Sequence, residues 1–167
     1  MSLLKSSFDR TQSGNGDALD SQQNVNRLAL STALGQAIAQ GREDLVESLL
    51  RSGADPNGIP PGGFWSAMHM AVEHKRCSTL AMLVEHGGNV NLKDESGFTP
   101  LHLAVDLEAD AASCRGEKPT SDLTALLLSL GADPRLRDNK GRTAIDLAEW
   151  YGHEGAVRLL REKVQGI

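Results

Sequence analysis

Gly97-Phe98-Thr99-Pro100-Leu101-His102-Leu103-Ala104 reads as a tight turn that passes at once into a helix. Gly97 supplies the positive φ that closes such a turn and that a Cβ would resist. Thr99 stands where a hydroxyl can cap the helix, and Pro100 takes the first helical position, where a missing N–H costs nothing. Leu101, Leu103 and Ala104 then give the helix an apolar side, with one small residue for close approach of a neighbour.

The octet has relatives along the chain. Ser66-Ala67-Met68-His69-Met70-Ala71 lies 33 residues before Thr99-Pro100-Leu101-His102-Leu103-Ala104. Thr32-Ala33-Leu34-Gly35-Gln36-Ala37 precedes the Met68 copy by 34, and Thr143-Ala144-Ile145-Asp146-Leu147-Ala148 follows the His102 copy by 44. A second marker moves in step: Gly53-Ala54-Asp55-Pro56-Asn57, Gly87-Gly88-Asn89-Val90-Asn91 and Gly131-Ala132-Asp133-Pro134, at intervals of 34 and 44. Before each marker glycine runs an apolar stripe of helical period: Leu45, Val46, Leu49, Leu50, then Leu80, Leu83, Val84, then Leu123, Leu127, Leu128. Gly53, Gly87 and Gly131 stand as left-handed C-terminal caps.

These features resemble the ankyrin repeat, whose signature T-P-L-H-x-A opens a unit of about 33 residues. The resemblance implies an all-α fold, a solenoid of stacked helix-turn-helix units joined by β-hairpin turns. Four units are expected, at about 27–57, 58–91, 92–135 and 136–167. The last helix, with Arg158, Arg161, Glu162 and Lys163, has the look of a terminal cap. Residues 1–26, rich in Ser, Gln, Asn, Asp and Gly without any period, read as a flexible polar tail, with a short helix covering the first unit as the alternative at its end. The 44-residue interval carries about eleven extra residues, near 108–120, expected as a surface insertion between the two helices of unit three. The turn entering unit two, Gly58-Ile59-Pro60-Pro61-Gly62-Gly63-Phe64-Trp65, departs from the Asp-x-x-Gly form of Asp94–Gly97 and Asp138–Gly141. Its two prolines remove backbone donors and stiffen it.

Composition narrows the function. The net charge is −5 and no basic block tracks a phosphate backbone, so nucleic acid is not expected as a partner. The longest apolar run, Ala125–Leu128, is far too short for a bilayer, and no secretory pattern opens the chain. Cys77 and Cys114 lie apart without a CxxC, as reduced thiols do in a cytoplasmic protein. His69, His74 and Cys77 are close in sequence but share no helical face, so no metal site is expected. The family places a structural imidazole where His69 and His102 stand. No Gly-rich phosphate loop, triad or cofactor motif appears, and the chain reads as non-enzymatic.

The resemblance implies a protein partner held in a concave groove of turn tips and first helices. The positions that the family varies there are Ala39 and Gln40 in unit one and Phe64, Trp65, Glu73 and His74 in unit two. In unit three they are Lys93, Glu95, Ser96, Phe98, Asp106 and Leu107. In unit four they are Arg137, Asn139, Lys140, Arg142, Trp150 and Tyr151. Of the six aromatics only Phe8 falls elsewhere. Trp, Tyr and Arg dominate binding hot spots, so these residues are expected to carry partner contacts. The competing expectation is that Trp150 and Tyr151 shield the last unit and Phe64 packs under its own turn. Function is thus expected as a monomeric, non-catalytic protein-binding module. An immunity protein blocking a toxin and a thiol regulator using Cys114 stand as alternatives.

Overall fold

The computed structural model describes residues 14–60, 62–115 and 119–166. Eight helices follow in order: α1 (Gly14–Gln40), α2 (Glu43–Arg51), α3 (Ala67–Glu73), α4 (Cys77–Glu85), α5 (Pro100–Arg115), α6 (Asp122–Ser129), α7 (Ala144–Trp150) and α8 (Glu154–Gln165). Each odd-numbered helix packs on the even one that follows, forming four pairs. The odd helices also pack on one another in sequence, α1 on α3, α3 on α5 and α5 on α7. The even helices form the second layer through α2 on α4 and α6 on α8. Between units two and three the stacking is carried by α3 and α5 rather than by α4 and α6.

One core runs through the stack, from Leu34 and Ile38 through Val46, Leu80, Leu83, Leu101 and Leu127 to Leu147 and Leu160. It is built of Leu, Val, Ile, Met and Ala, and among the described residues no Phe, Trp or Tyr is fully buried in it. The stripe positions are therefore where the sequence places them. Small residues at the helix crossings, Ala71, Ala104 and Ala148, are all completely buried and let the odd helices approach. Gly53, Gly87 and Gly131 close the even helices with φ of 89°, 87° and 94°, the left-handed cap that only glycine adopts cheaply.

The octet's histidine is a bolt between units. His102 Nδ1 accepts from the Thr99 hydroxyl at 2.8 Å, and its Nε2 donates to the Arg142 carbonyl of the next unit at 3.1 Å. His69 repeats this with Ser66 at 2.8 Å and the Phe98 carbonyl at 3.0 Å. The hydroxyls thus engage the ring rather than capping backbone directly, and burial lowers both imidazole pKa values, against the opposing pull of those backbone bonds. In unit four Asp146 replaces the histidine and closes a capping box with Thr143 inside its own unit.

A ladder of asparagines ties the turns together. Asn57 donates to the Gly87 carbonyl and accepts from Asn89 N–H at 2.7 Å; Asn91 does the same for Gly131 and Asp133. Arg135 takes the next rung and turns instead to the Val164 carbonyl of α8, at 3.2 Å. Between α-helices of a pair, Gly41 and Gly152 adopt φ of 69° and 68°. Lys75 holds the same place in unit two at 53°, where a side chain is strained.

In three places the structure adds detail that the repeat pattern does not carry. Among the described residues no strand forms: the turns entering units three and four are each closed by an aspartate side chain and two backbone bonds, and the turn entering unit two by the Gly63–Pro60 bond, without a β ladder. The supposed surface insertion begins as helix. Residues 108–115 prolong α5 to sixteen residues, against seven in α3 and α7, because Glu-Ala-Asp-Ala-Ala is strongly helix-forming. Its first residues, Glu108 and Ala109, are core rather than surface, while Asp110, Ser113 and Cys114 are exposed. Finally, residues 14–26, read as tail, are the first turns of α1. They carry no apolar stripe, so periodicity gives no sign of them. Residues 1–13, including Phe8, lie outside the described residues.

Candidate protein-interaction face

The face is assembled by the linking turns. Asp94 Oδ1 accepts from the N–H groups of Ser96 and Phe98, each at 2.8 Å, and Asp94 N–H donates to the Phe98 carbonyl at 2.8 Å. Asp138 does the same for Lys140 and Arg142, at 2.8 Å each. Both turns therefore have one shape, fixed by one carboxylate. Asp138 is buried, which alone would raise its pKa, but the Arg142 backbone and guanidinium bonds outweigh this and lower it. Gly97 has φ 78°, and a Cβ there would meet Asn139 N at 2.6 Å, so the two turns touch only because Gly97 has no side chain. Asn139 seals the contact by donating to the Glu95 carbonyl at 2.8 Å. Lys93 crosses the same seam to the Arg137 carbonyl at 2.7 Å.

Between these tips lies an open cleft of about 440 Å³ lined by Glu95, Ser96, Phe98, Asn139, Lys140 and Arg142. Phe98 is half-buried at its base, tilted against the His102 ring at 5.5 Å, with the Arg142 guanidinium 5.9 Å above its centroid. Arg142 is in turn held by Asp138 at 2.8 Å. Arg137 lies exposed, donating to the Gly141 carbonyl at 2.5 Å. Lys140 is exposed at the tip.

In the turn entering unit two, Gly62 adopts φ 72° and Gly63 N–H donates to the Pro60 carbonyl at 2.9 Å. This presents Ile59 and Phe64 outward, Phe64 at 66% exposure, and leaves Trp65 half-buried. Phe64 is therefore not packed under its own turn. On the helices, Glu73 and Leu107 are half-buried and His74 is exposed. Ala39 and Gln40, at the end of α1, are half-buried and exposed. Asp106 of α5 meets α7 directly: the Tyr151 hydroxyl donates to its Oδ1. The phenol pKa is pushed up to about 12, by burial first and then by Asp106, so Tyr151 stays the donor at neutral pH. Trp150 stands edge-on to Tyr151 at 4.7 Å and is 75% exposed. It does not shield the last unit.

The structure thus brings Phe98, Arg142, Lys140 and Asn139 into one cleft and Asp106, Trp150 and Tyr151 into another cluster, with Phe64 and Ile59 on a separate tip. Ile59 is a residue the sequence reading passes over. It has no counterpart in the other turns, so repeat alignment gives it no slot. Glu108 is missed for the same reason. It is 4% exposed and accepts from Leu123 N–H at 2.7 Å and from the Thr124 hydroxyl at 2.6 Å, with the buried His153 ring 3.7 Å away. It is a cap for α6 supplied from α5. Burial raises its pKa, against the hydrogen bonds it accepts. Among the described residues no three His, Cys, Asp or Glu side chains gather as a metal site would need. Cys77 and Cys114 are free and exposed. No described helix is long and apolar enough to cross a membrane.

Stacked helix pairs, bolted by histidines and asparagines and presenting variable turn tips, define a repeat-built interaction scaffold. The family model for ankyrin repeats in three copies matches residues 34–114, and the single ankyrin-repeat model matches 96–139. The chain belongs to the ankyrin-repeat family. It is similar to an ankyrin repeat protein of fowlpox virus, 36% identical over 120 residues, 70% of this chain and 32% of that one. It is also similar to cyclin-dependent kinase inhibitor 2A of Monodelphis domestica, 34% identical over 133 residues, 79% of this chain and 70% of that one. Human cyclin-dependent kinase 4 inhibitor B is 34% identical over 129 residues, 77% of this chain and 84% of its own length. The chain therefore spans about a third of the viral relative and most of the two inhibitors. Ankyrin repeats are protein-interaction modules, and two of these relatives are named as inhibitors of cyclin-dependent kinases.

Proposed function

We propose that this chain binds a protein partner, without catalysis, through its turn tips and the exposed side of α3, α5 and α7. One observation carries the reading: the core is aliphatic throughout, while Phe64, Trp150 and Tyr151 stand exposed on positions the scaffold does not use. An exposed Trp costs solubility and contributes nothing to this fold's packing; contact with a partner gives it a use. The test is the double variant Trp65→Ala/Trp150→Ala, titrated against a partner captured from the native host. Each truncation is expected to cost about 2 kcal/mol, hence an affinity loss of roughly a thousandfold together, with the helical circular dichroism unchanged. Undiminished affinity overturns the assignment.

Inhibition by occupancy is the second reading, favoured by the two relatives named as kinase inhibitors. It predicts that a captured enzyme loses activity in proportion to the bound fraction. The relatives give the immunity role no support. If Cys114 were the working group, Cys114→Ser would abolish that effect; on the occupancy reading it changes nothing.

A further inference from the structure

Building on the interaction face just proposed, we infer that Trp150, Tyr151 and Asp106 form a seat for a cationic side chain, arginine or lysine, of the partner protein. Trp150 offers an exposed ring beside Tyr151, which links α7 to Asp106 on α5 through its hydroxyl. The donor takes up Oδ1 of Asp106; among the described residues Oδ2 has no hydrogen bond and no cation lies against the carboxylate. Three arginines of unit four already have carboxylate partners. Arg142 is held by Asp138 at 2.8 Å and Arg161 by Glu149 at 2.5 Å, and Arg137 has Asp146 at 3.9 Å. Asp110 and Arg142 both bear on the Tyr151 phenol, with opposite sign. What faces solvent at the seat is the Asp106 carboxylate, with the charge of Asp110 added nearby, joined through Tyr151 to the exposed Trp150 ring, on a chain of net charge −5.

An apolar partner side chain laid on Trp150 would strip water from Asp106 and return no hydrogen bond. A cation satisfies both groups: it is attracted to the indole face and donates to the carboxylate. The planar guanidinium suits this double contact better than an ammonium, since it stacks and presents a fork of donors. Asp106 also holds Tyr151 in place, so the ring pair is set before the partner arrives.

The test uses the full chain carrying Trp65→Phe, so that indole emission reports Trp150 alone. Blocked tri-arginine, tri-lysine and tri-citrulline peptides are titrated in low salt. Tri-arginine is expected to perturb the emission saturably and more tightly than tri-lysine, with no saturable response to neutral tri-citrulline. Asp106→Asn is expected to weaken tri-arginine by about fivefold, and added salt to weaken it further. The Trp150 indole N–H resonance of the unmodified chain supplies the same readout if Trp65→Phe disturbs the fold. Equal responses to tri-arginine and tri-citrulline, or a titration unmoved by Asp106→Asn, overturn the inference. In that case a partner whose binding still falls with Trp150→Ala would leave the interaction face standing and remove only its cationic ligand.

Discussion

At the scale of the residue, the repeat identifies positions that serve the scaffold and exposes those that do not fit it. Lys75 is the plainest misfit: it sits at φ 53° where Gly41 and Gly152 occupy the equivalent turns. Lys75→Gly is therefore expected to stabilise the fold by about 1 kcal/mol, the left-handed penalty less glycine's entropy cost, read as a higher denaturant midpoint. A lower midpoint would contradict the assignment. His69 and His102 make a second prediction. Their folded pKa values lie below the ordinary 6.5, so the unfolded chain binds more protons below that pH. The stability that they lend is whole above pH 6.5 and is lost as pH falls from there toward the folded values. Unfolding free energy should fall as pH drops from about 6.5 to about 5, and the His69→Gln/His102→Gln variant should show a shallower slope over the same interval. The roles of these two histidines were legible from the sequence, because the motif repeats with them in register. The role of Asn57 and Asn91 was visible only as spacing; nothing in one dimension says that each bonds the turn of the following unit.

At the scale of the element, the eight helices follow from apolar stripes and cap glycines, and the sequence marks most of their bounds. It fails at α1 and α5. Both are prolonged by turns with no apolar stripe, and a helix signal read from period is silent where nothing is buried on one side. The α5 extension also hides Glu108, a buried carboxylate whose bonds cross to another helix. Thr124 stands in α6 where Val46 and Leu80 stand in other units, and its hydroxyl is tolerable there because Glu108 accepts from it. Glu108→Ala orphans the Thr124 hydroxyl and the Leu123 N–H together and is expected to cost about 2–3 kcal/mol. Thr124→Val made in the Glu108→Ala background should recover part of that loss, since it removes the unpaired hydroxyl. A double-mutant cycle in thermal unfolding measures the coupling; additivity of the two changes would contradict the contact.

At the scale of the whole molecule, a continuous aliphatic core leaves Phe64 and Trp150 exposed, while most turn-tip residues bond to one another across units. The candidate face was partly legible: repeat register places Phe64, Trp150 and Tyr151 outside the stripe, and their exposure follows. It was less informative about the basic residues. Lys93, Arg137 and Arg142 appear in the sequence as charges for a partner, but the fold engages each with a carbonyl or carboxylate of the adjoining turns. Phe98 likewise lies in the cleft base, supporting His102, rather than projecting. Such pairing depends on which turns become neighbours, and spacing along the chain does not show it. On the proposed function a protein partner covers the turn tips and the exposed side of the odd helices, leaving the even helices in solvent. Hydroxyl-radical footprinting of the chain with a captured partner tests this most directly. Protection at Phe64, Trp150 and Tyr151, with Met82 of α4 unchanged, is the result expected; protection confined to α4 and α8 would contradict it.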